Sequence, residues 1–373
     1  MKLSINTNQL QSLVTKAIKG ASNNKIFPMT CLMAIDYDFD TDKSFGKLSL
    51  TTTDLTNYLT VSLDEVSACT DELHLVVYAE NFAKLISKMT SENVTLEFDG
   101  EFFTVSGGKS SYKIELPLDV DGTFVKMSVP EIDESKAIIK TIKLSSIKNI
   151  LATAKTSLAT TLDTPCYTAY YIGDNILSSN GYKICCIKEK LLDTPVLLGS
   201  VTMDLLDLAE SDLNCALAKD SLVEDAIQFS TADGNYILRT KVYDGIESYS
   251  VDAITQLAES EFEASVVLNK NDMLQALDRL SVFVGEYDRN VIFMHFGEDG
   301  LTLTNKAKAG TEQIDYVSKS GNLVFDCPIE IDMLTSQIKA QQNDDFRLYY
   351  GLPNCIKIAD DNIVQIIALF VEA

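Results

Sequence analysis

The sequence predicts an α+β protein made of three copies of one unit, each with two helices packed on antiparallel sheets. Two observations predict it. A strand followed by an amphipathic helix recurs about every 125 residues, a period longer than any solenoid repeat. Each copy then closes with a β-hairpin carrying a turn signal. The length of 373 residues agrees, because it exceeds what one hydrophobic core usually serves.

The opening strand and helix fall at residues 2–5 and 8–19, 141–144 and 145–155, and 265–268 and 269–280. Asn8, Ser145 and Asn269 head these helices, where a side-chain oxygen can accept from the first unpaired N–H groups. Behind them apolar residues recur at helical spacing: Leu10, Leu13, Val14 and Ile18; Ile147, Ile150, Leu151 and Ala154; Met273, Leu274, Leu277 and Leu280. A second strand-to-helix junction spans 75–89, 196–209 and 323–338. The closing hairpins turn at Asp99-Gly100, at Asp233-Gly234 and at Leu352-Pro353-Asn354. Alternation within them implies sheets with one buried face. Each copy therefore holds two helices and roughly eight strands. Joins near 126–131, where Pro130 stands among charges, and near 252–257 give domains 1–126, 127–254 and 255–373.

Composition bounds the function. Hydrophobic residues make up 46% and charged residues 23%, enough apolar material for several cores. No apolar run approaches the length of a membrane span, and the first residues enter a strand pattern instead of a signal peptide. A soluble, cytoplasmic protein is expected, with no membrane association. The eight cysteines, Cys31, Cys69, Cys166, Cys185, Cys186, Cys215, Cys327 and Cys355, form no C-x-x-C pair and read as reduced core residues. Charge is less easily placed. Against 54 acidic residues stand 31 basic ones, a net of −23. That balance opposes a nucleic-acid partner unless the basic residues gather on one surface.

Catalysis finds little support. His74 and His295 lie in strand patterns with no nucleophile or carboxylate at a recognised spacing. No phosphate loop, dinucleotide fingerprint or metal-ligand cluster is present, so no cofactor or metal is expected. The acidic stretches at 36–42 and at Asp360-Asp361 lack EF-hand order and read as solvated turns. An enzyme using Cys185 or Cys186 would need an accessible thiol of low pKa.

Beyond the repeat, particular residues resemble a family. The opening 1–5 (Met-Lys-Leu-Ser-Ile), Pro28, 48–55 (Leu-Ser-Leu-Thr-Thr-Thr-Asp-Leu), 179–184 (Ser-Asn-Gly-Tyr-Lys-Ile) and 241–245 (Lys-Val-Tyr-Asp-Gly) follow one another as in the bacterial DNA polymerase III beta subunit, the DNA sliding clamp. The resemblance covers essentially the whole chain. The sequence departs from the family at 246–249, where Ile-Glu-Ser-Tyr replaces Phe-Pro-Asp-Tyr, and at the end, Leu-Phe-Val-Glu-Ala at 369–373. Both mark it as a divergent member.

The resemblance implies a head-to-tail homodimer closing into a ring, with helices lining the hole. Lys16, Lys19, Lys25, Lys84, Lys88, Lys148, Lys155, Arg279, Arg289 and Lys339 would then face DNA, and a helix around 203–213 would offer Asp204, Asp207, Glu210 and Asp212 instead. An apolar groove for partner peptides would include Thr168, Gly181, Tyr182, Lys183, Ile184, Ala253, Ile254, Ile367 and Leu369. Tyr112 and Ile114 on an edge strand would meet Val282 and Phe283 of the partner subunit across the dimer contact. The implied function is a non-enzymatic processivity factor. It would encircle duplex DNA, tether a replicative DNA polymerase, and depend on an ATP-dependent clamp loader, having no nucleotide site of its own. The alternative is a clamp-fold interaction scaffold that no longer encircles DNA.

Overall fold

The computed structural model describes residues 1–373 except 41–44, 69–71, 131, 133–137, 162–163, 219–225, 286–289 and 371–373. It divides into two compact units, Met1–Leu144 with Val201–Val242, and Ser145–Ser200 with Tyr243–Ala373. Seven α-helices occur among the described residues: α1 (Thr7–Ala17), α2 (Ala79–Ser87), α3 (Leu144–Thr153), α4 (Ser200–Leu206), α5 (Val251–Glu259), α6 (Lys270–Ser281) and α7 (Ile331–Lys339).

The first unit is organised by a twelve-stranded antiparallel sheet. Its long path runs from Ser110–Ile114 through Phe103–Gly107, Asn93–Phe98, Lys2–Asn6 and Asn57–Ala68 to Tyr236–Lys241, Ala226–Thr231, Leu213–Ala218 and Ile138–Ile142. Strands Leu32–Asp40, Phe45–Thr53 and Leu73–Tyr78 branch from it. Asn57–Ala68, from the first repeat, pairs directly with Tyr236–Lys241, from the second, in the register Tyr236↔Val61 to Thr240↔Asn57. α1 lays Leu10, Leu13, Val14 and Ala17 on this sheet, and α2 adds Phe82 and Ile86. Each large apolar side chain so buried stabilises the fold by about 1.5–3 kcal/mol. The Gln11 amide joins the helices, donating to the carbonyls of Ile86 and Met89 at 2.9 and 3.0 Å. Those carbonyls lie at the end of α2, where Ile86 O also accepts from Met89 N at 3.1 Å.

The second unit holds two sheets. Nine strands run in the order Val196–Gly199, Ala169–Ile172, Ile176–Ser179, Lys183–Ile187, Ile363–Ala368, Cys355–Ala359, Asp345–Tyr350, Ala264–Asn269 and Ser318–Ser320. Four more run Thr311–Asp315, Gly300–Asn305, Val291–Phe296 and Phe325–Glu330. Here too strands of successive repeats join, Lys183–Ile187 with Ile363–Ala368. α6 and α7 bury Met273, Leu277, Leu280, Leu334 and Ile338 in a core where the Phe296 and Tyr350 rings stack with centroids 4.0 Å apart.

The expected elements appear with local differences. Asn269 caps α6, accepting from Asn271 N and Asp272 N. α1 starts at Thr7, so its cap is Asn6, not Asn8. α3 starts at Leu144, whose N–H donates to Asp212 Oδ1 at 2.9 Å, and no serine does this work. The helix expected at 203–213 ends at Leu206. Asp207, Glu210 and Asp212 would load its C-terminus with negative charge, which the helix dipole opposes. The join expected at 252–257 is the helix α5, because Val251, Ile254 and Ala258 repeat at helical spacing and turn one apolar face inward. The two Asp-Gly turns form as read, with Gly100 and Gly234 at φ of +100° and +68°.

Cysteines occupy the core as expected among the described residues, where all but half-buried Cys31 are buried and none is paired; Cys69 lies outside them. Burial pushes the Cys186 thiol up to about 11 and the Cys215 and Cys327 thiols up to about 12, and it raises Cys185 as well. Thiolate, the reactive form, is therefore scarce at neutral pH. Iodoacetamide at pH 7.5 should label neither Cys185 nor Cys186 in native protein and both after urea unfolding, read by peptide mass; rapid native labelling would revive cysteine chemistry. Asn269→Ala should destabilise the protein by about 1 kcal/mol, seen as a lower urea midpoint, while Asn269→Asp retains the cap.

Candidate functional sites

Arg289 lies outside the described residues, and the other nominated cations divide into two groups. Lys16 on α1 is half-buried and places its ammonium 2.6 Å from Glu210 Oε1. Lys84 pairs with Glu80 one turn earlier on α2. Arg279 on α6 forks onto Glu312, with Nε and Nη2 at 2.9 and 2.6 Å from its carboxylate oxygens. All three are partly neutralised within the chain. Lys19, Lys25, Lys88, Lys148, Lys155 and Lys339 are exposed. The acidic residues after α4 hold the structure together, since Glu210 takes Lys16 and Asp212 caps α3.

A charge asymmetry legible in the sequence but missed in reading it lies at the start of the chain. Residues 1–35 contain Lys2, Lys16, Lys19 and Lys25 and no carboxylate side chain. α1 and the loop after it thus form a local cationic segment in an acidic protein. Between α1 and α2 a cavity of about 290 Å³ is lined by Gln11, Ile18, Lys19, Glu80, Lys84 and Ser87, among others.

The nominated groove residues gather in the second unit, on two sides of one sheet. The turn before strand Lys183–Ile187 is fixed by Asn180, whose Oδ1 accepts from Tyr182 N and Lys183 N at 3.0 and 2.7 Å, with Gly181 at φ +87°. This leaves the Tyr182 ring 63% exposed. Lys183 is half-buried, donates to Ser336 Oγ at 3.2 Å, and has its pKa lowered by desolvation. Ile184 and Ile254 belong to an apolar cluster with Ile366, Tyr167, Tyr171 and Tyr249, beneath α5. Thr168 borders it beside Tyr167, with its hydroxyl turned to Pro165 O, and Ala253 is exposed on α5. Ile367 and Leu369 lie elsewhere, buried in the core formed by α6 and α7. Strand alternation sends Ile366 to one face and Ile367 to the other. Tyr167, Tyr171, Tyr249 and Ile366 share the cluster with Ile184 and Ile254, a neighbourhood that spacing along the chain does not announce.

Two sheet edges carry the nominated dimer residues. Strand Ser110–Ile114 pairs only with Phe103–Gly107 among the described residues, and Tyr112 on it is 44% exposed. Ile114 beside it is half-buried. In the second unit Thr311–Asp315 pairs only with Gly300–Asn305 among the described residues. Past the end of α6, Val282 and Phe283 are 78% and 53% exposed. Unpaired edges with exposed apolar residues demand a cover or invite aggregation.

The histidines require a correction. Each has a carboxylate partner, from across its sheet instead of nearby in sequence. His74 Nδ1 lies 2.9 Å from Asp36 Oδ1, and His295 Nδ1 2.6 Å from Asp326 Oδ1. His74 stands five residues before α2, and Asp326 five before α7, so the two repeats carry the same pair with its members exchanged. The Asp36 hydrogen bond holds His74 above its ordinary pKa. Among the described residues no serine, threonine or cysteine hydrogen-bonds to either ring, and no group of three His, Cys, Asp or Glu is placed to hold a metal. No helix there is long and apolar enough to cross a membrane.

No family model matches the chain. Over 98% of its length it is 22% identical to the beta sliding clamp of Staphylococcus epidermidis, covering 97% of that protein. It is equally similar, at 22% over 98% of both chains, to the beta sliding clamp of Staphylococcus aureus. Among solved structures it superposes on the DNA polymerase sliding clamp from Bacillus subtilis with a TM-score of 0.84 at 18% identity, covering 100% of both chains. The beta subunit from DNA polymerase of Streptococcus pyogenes follows with 0.83 at 16%, again over 100% of both. The chain has the fold of the DNA polymerase sliding clamps and is a divergent relative of the bacterial beta sliding clamps along its whole length.

Proposed function

We propose that this chain is a DNA sliding clamp, a non-enzymatic processivity factor in the bacterial cytoplasm. The observation that carries the reading is likeness to sliding clamps over the full length of the chain in both sequence and fold. Two subunits, each of three clamp domains near 1–126, 127–254 and 255–373, close head to tail around duplex DNA. The edges at Ser110–Ile114 and Thr311–Asp315, with Tyr112, Ile114, Val282 and Phe283, supply the dimer contact. A replicative polymerase is tethered through the apolar cluster beside α5, and an ATP-dependent loader opens the ring.

Net charge of −23 agrees with this mode of binding. An open-surface binder needs many phosphate contacts, each adding affinity and salt sensitivity. A closed ring is held by topology, so a few sequence-blind contacts suffice. Exposed Lys19, Lys25, Lys88, Lys148 and Lys339 supply them, while Lys16, Lys84 and Arg279 keep intramolecular partners. Those internal pairs also favour the second reading, a scaffold that binds partners without encircling DNA.

Light scattering should give about twice the 41.1 kDa subunit mass at micromolar concentration. Subunits separated by dilution and reassembled with nicked circular DNA should stay bound at high salt and be lost when the circle is cut. A monomer, or equal retention on circular and linear DNA, favours the scaffold. Changing Lys19, Lys88 and Lys148 to Gln should flatten the salt dependence of encounter with linear DNA by up to about 0.9 logarithmic units per lysine.

A further inference from the structure

An exposed apolar side chain at a helix end has backbone and rotamer freedom to lose when a partner covers it. Val282 and Phe283 stand at such an end, directly after α6, yet the segment is tied down. Phe283 N donates to Leu280 O at 3.0 Å and Val284 N to Ser281 O at 3.3 Å. Asn305 Nδ2 then donates to the Phe283 carbonyl at 2.9 Å.

The sheet places Asn305 for this contact. It is the last residue of strand Gly300–Asn305, pairs opposite Ile292, and is 4% exposed. Its Oδ1 accepts from Ala309 N at 2.8 Å and Gly310 N at 3.2 Å, and its carbonyl accepts from Lys308 N at 2.9 Å. One side chain thereby closes the turn 305–310 and grips the end of α6. The Phe283 ring lies against that turn. A Cβ at Gly310 would stand 3.2 Å from Phe283 Cδ2 and 3.0 Å from Leu280 Cδ1. Gly310 has no left-handed φ, so what it supplies is space. Strand Thr311–Asp315 begins at the next residue, and Arg279 of α6 forks onto its Glu312.

We propose that Asn305, with Gly310, is the positioning residue of the dimer contact. It fixes Phe283 in the pose that the partner subunit receives, and it joins that anchor to the edge Thr311–Asp315 as one surface. The inference rests on the dimer reading and adds the residues that preorganise the contact. Asn305 is buried and acts only through Phe283. Ordering the anchor within the chain removes that cost from association, an effect of several-fold in the dimer Kd for one immobilised side chain.

The test measures the dimer Kd of the full chain by fluorescence-detected sedimentation over a dilution series. Asn305→Asp keeps the acceptor for Ala309 N and Gly310 N and removes the donor to Phe283 O. Gly310→Ala leaves Asn305 intact and crowds the Phe283 ring. Each should raise Kd about five-fold with the circular dichroism spectrum unchanged. Phe283→Ala should raise it about thirty-fold. In the Phe283→Ala background neither further change should move Kd, because both act through that ring, whereas general damage to the fold would weaken both backgrounds alike. An unchanged Kd in either single variant, or equal losses with and without Phe283, overturns the proposal and leaves the dimer reading standing. A wild-type chain that is monomeric at micromolar concentration, or a Phe283→Ala variant with wild-type Kd, removes the dimer contact as read, and the proposal with it.

Discussion

A strand at the margin of a sheet must find partners for every second N–H and C=O it carries, and in this chain the neighbouring repeat supplies them. Asn57–Ala68 of the first repeat is completed by Tyr236–Lys241 of the second, and Lys183–Ile187 of the second by Ile363–Ala368 of the third. Polar side chains reinforce the joins. Thr202 Oγ1 donates to Asn57 Oδ1 at 2.8 Å inside the first unit, and the Gln337 amide to Ser157 Oγ at 2.8 Å inside the second. These are buried contacts, so losing one partner would strand the other without water. Each repeat thus completes its sheet with a neighbour's strand, and the middle one is shared between the two compact units.

The same requirement explains which surfaces remain open. Pairing that passes from repeat to repeat leaves a first edge at Ser110–Ile114 and an edge at Thr311–Asp315, and beside each stand apolar side chains that a soluble monomer would ordinarily hide. Backbone pairing joins the repeats within the chain, and the same kind of bond is left available at these two edges.

Much of this was legible in the sequence because it is local. Asn269 before Met273, Leu277 and Leu280 announces both a cap and a buried face, and Asp-Gly announces each of the first two hairpin turns. The features that escaped reading depend on residues far apart along the chain. Asp212 caps a helix that begins at Leu144, Glu312 neutralises Arg279, and Asp36 reaches His74 across a sheet. Spacing carries no trace of such pairs. That Ile366 and Ile367 serve different cores was hidden for a simpler reason. In a strand buried on both faces the alternation of polar and apolar residues disappears, and the sequence no longer says which side a residue serves. Glu80 and Lys84, four apart on one helix, were readable as a pair.

Net charge describes such a molecule poorly, because electrostatic reach in physiological salt is only about 8 Å. At that range a ligand senses a segment, and the segments differ in sign. Residues 1–35 hold four lysines and no carboxylate side chain, while 242–269 hold six carboxylates and no base. In the first, Lys2 and Lys16 are paired with Glu97 and Glu210, which leaves exposed Lys19 and Lys25 to meet a polyanion, while the second repels one. Separation of sign along the chain therefore gives one acidic protein segments that meet polyanions and polycations differently.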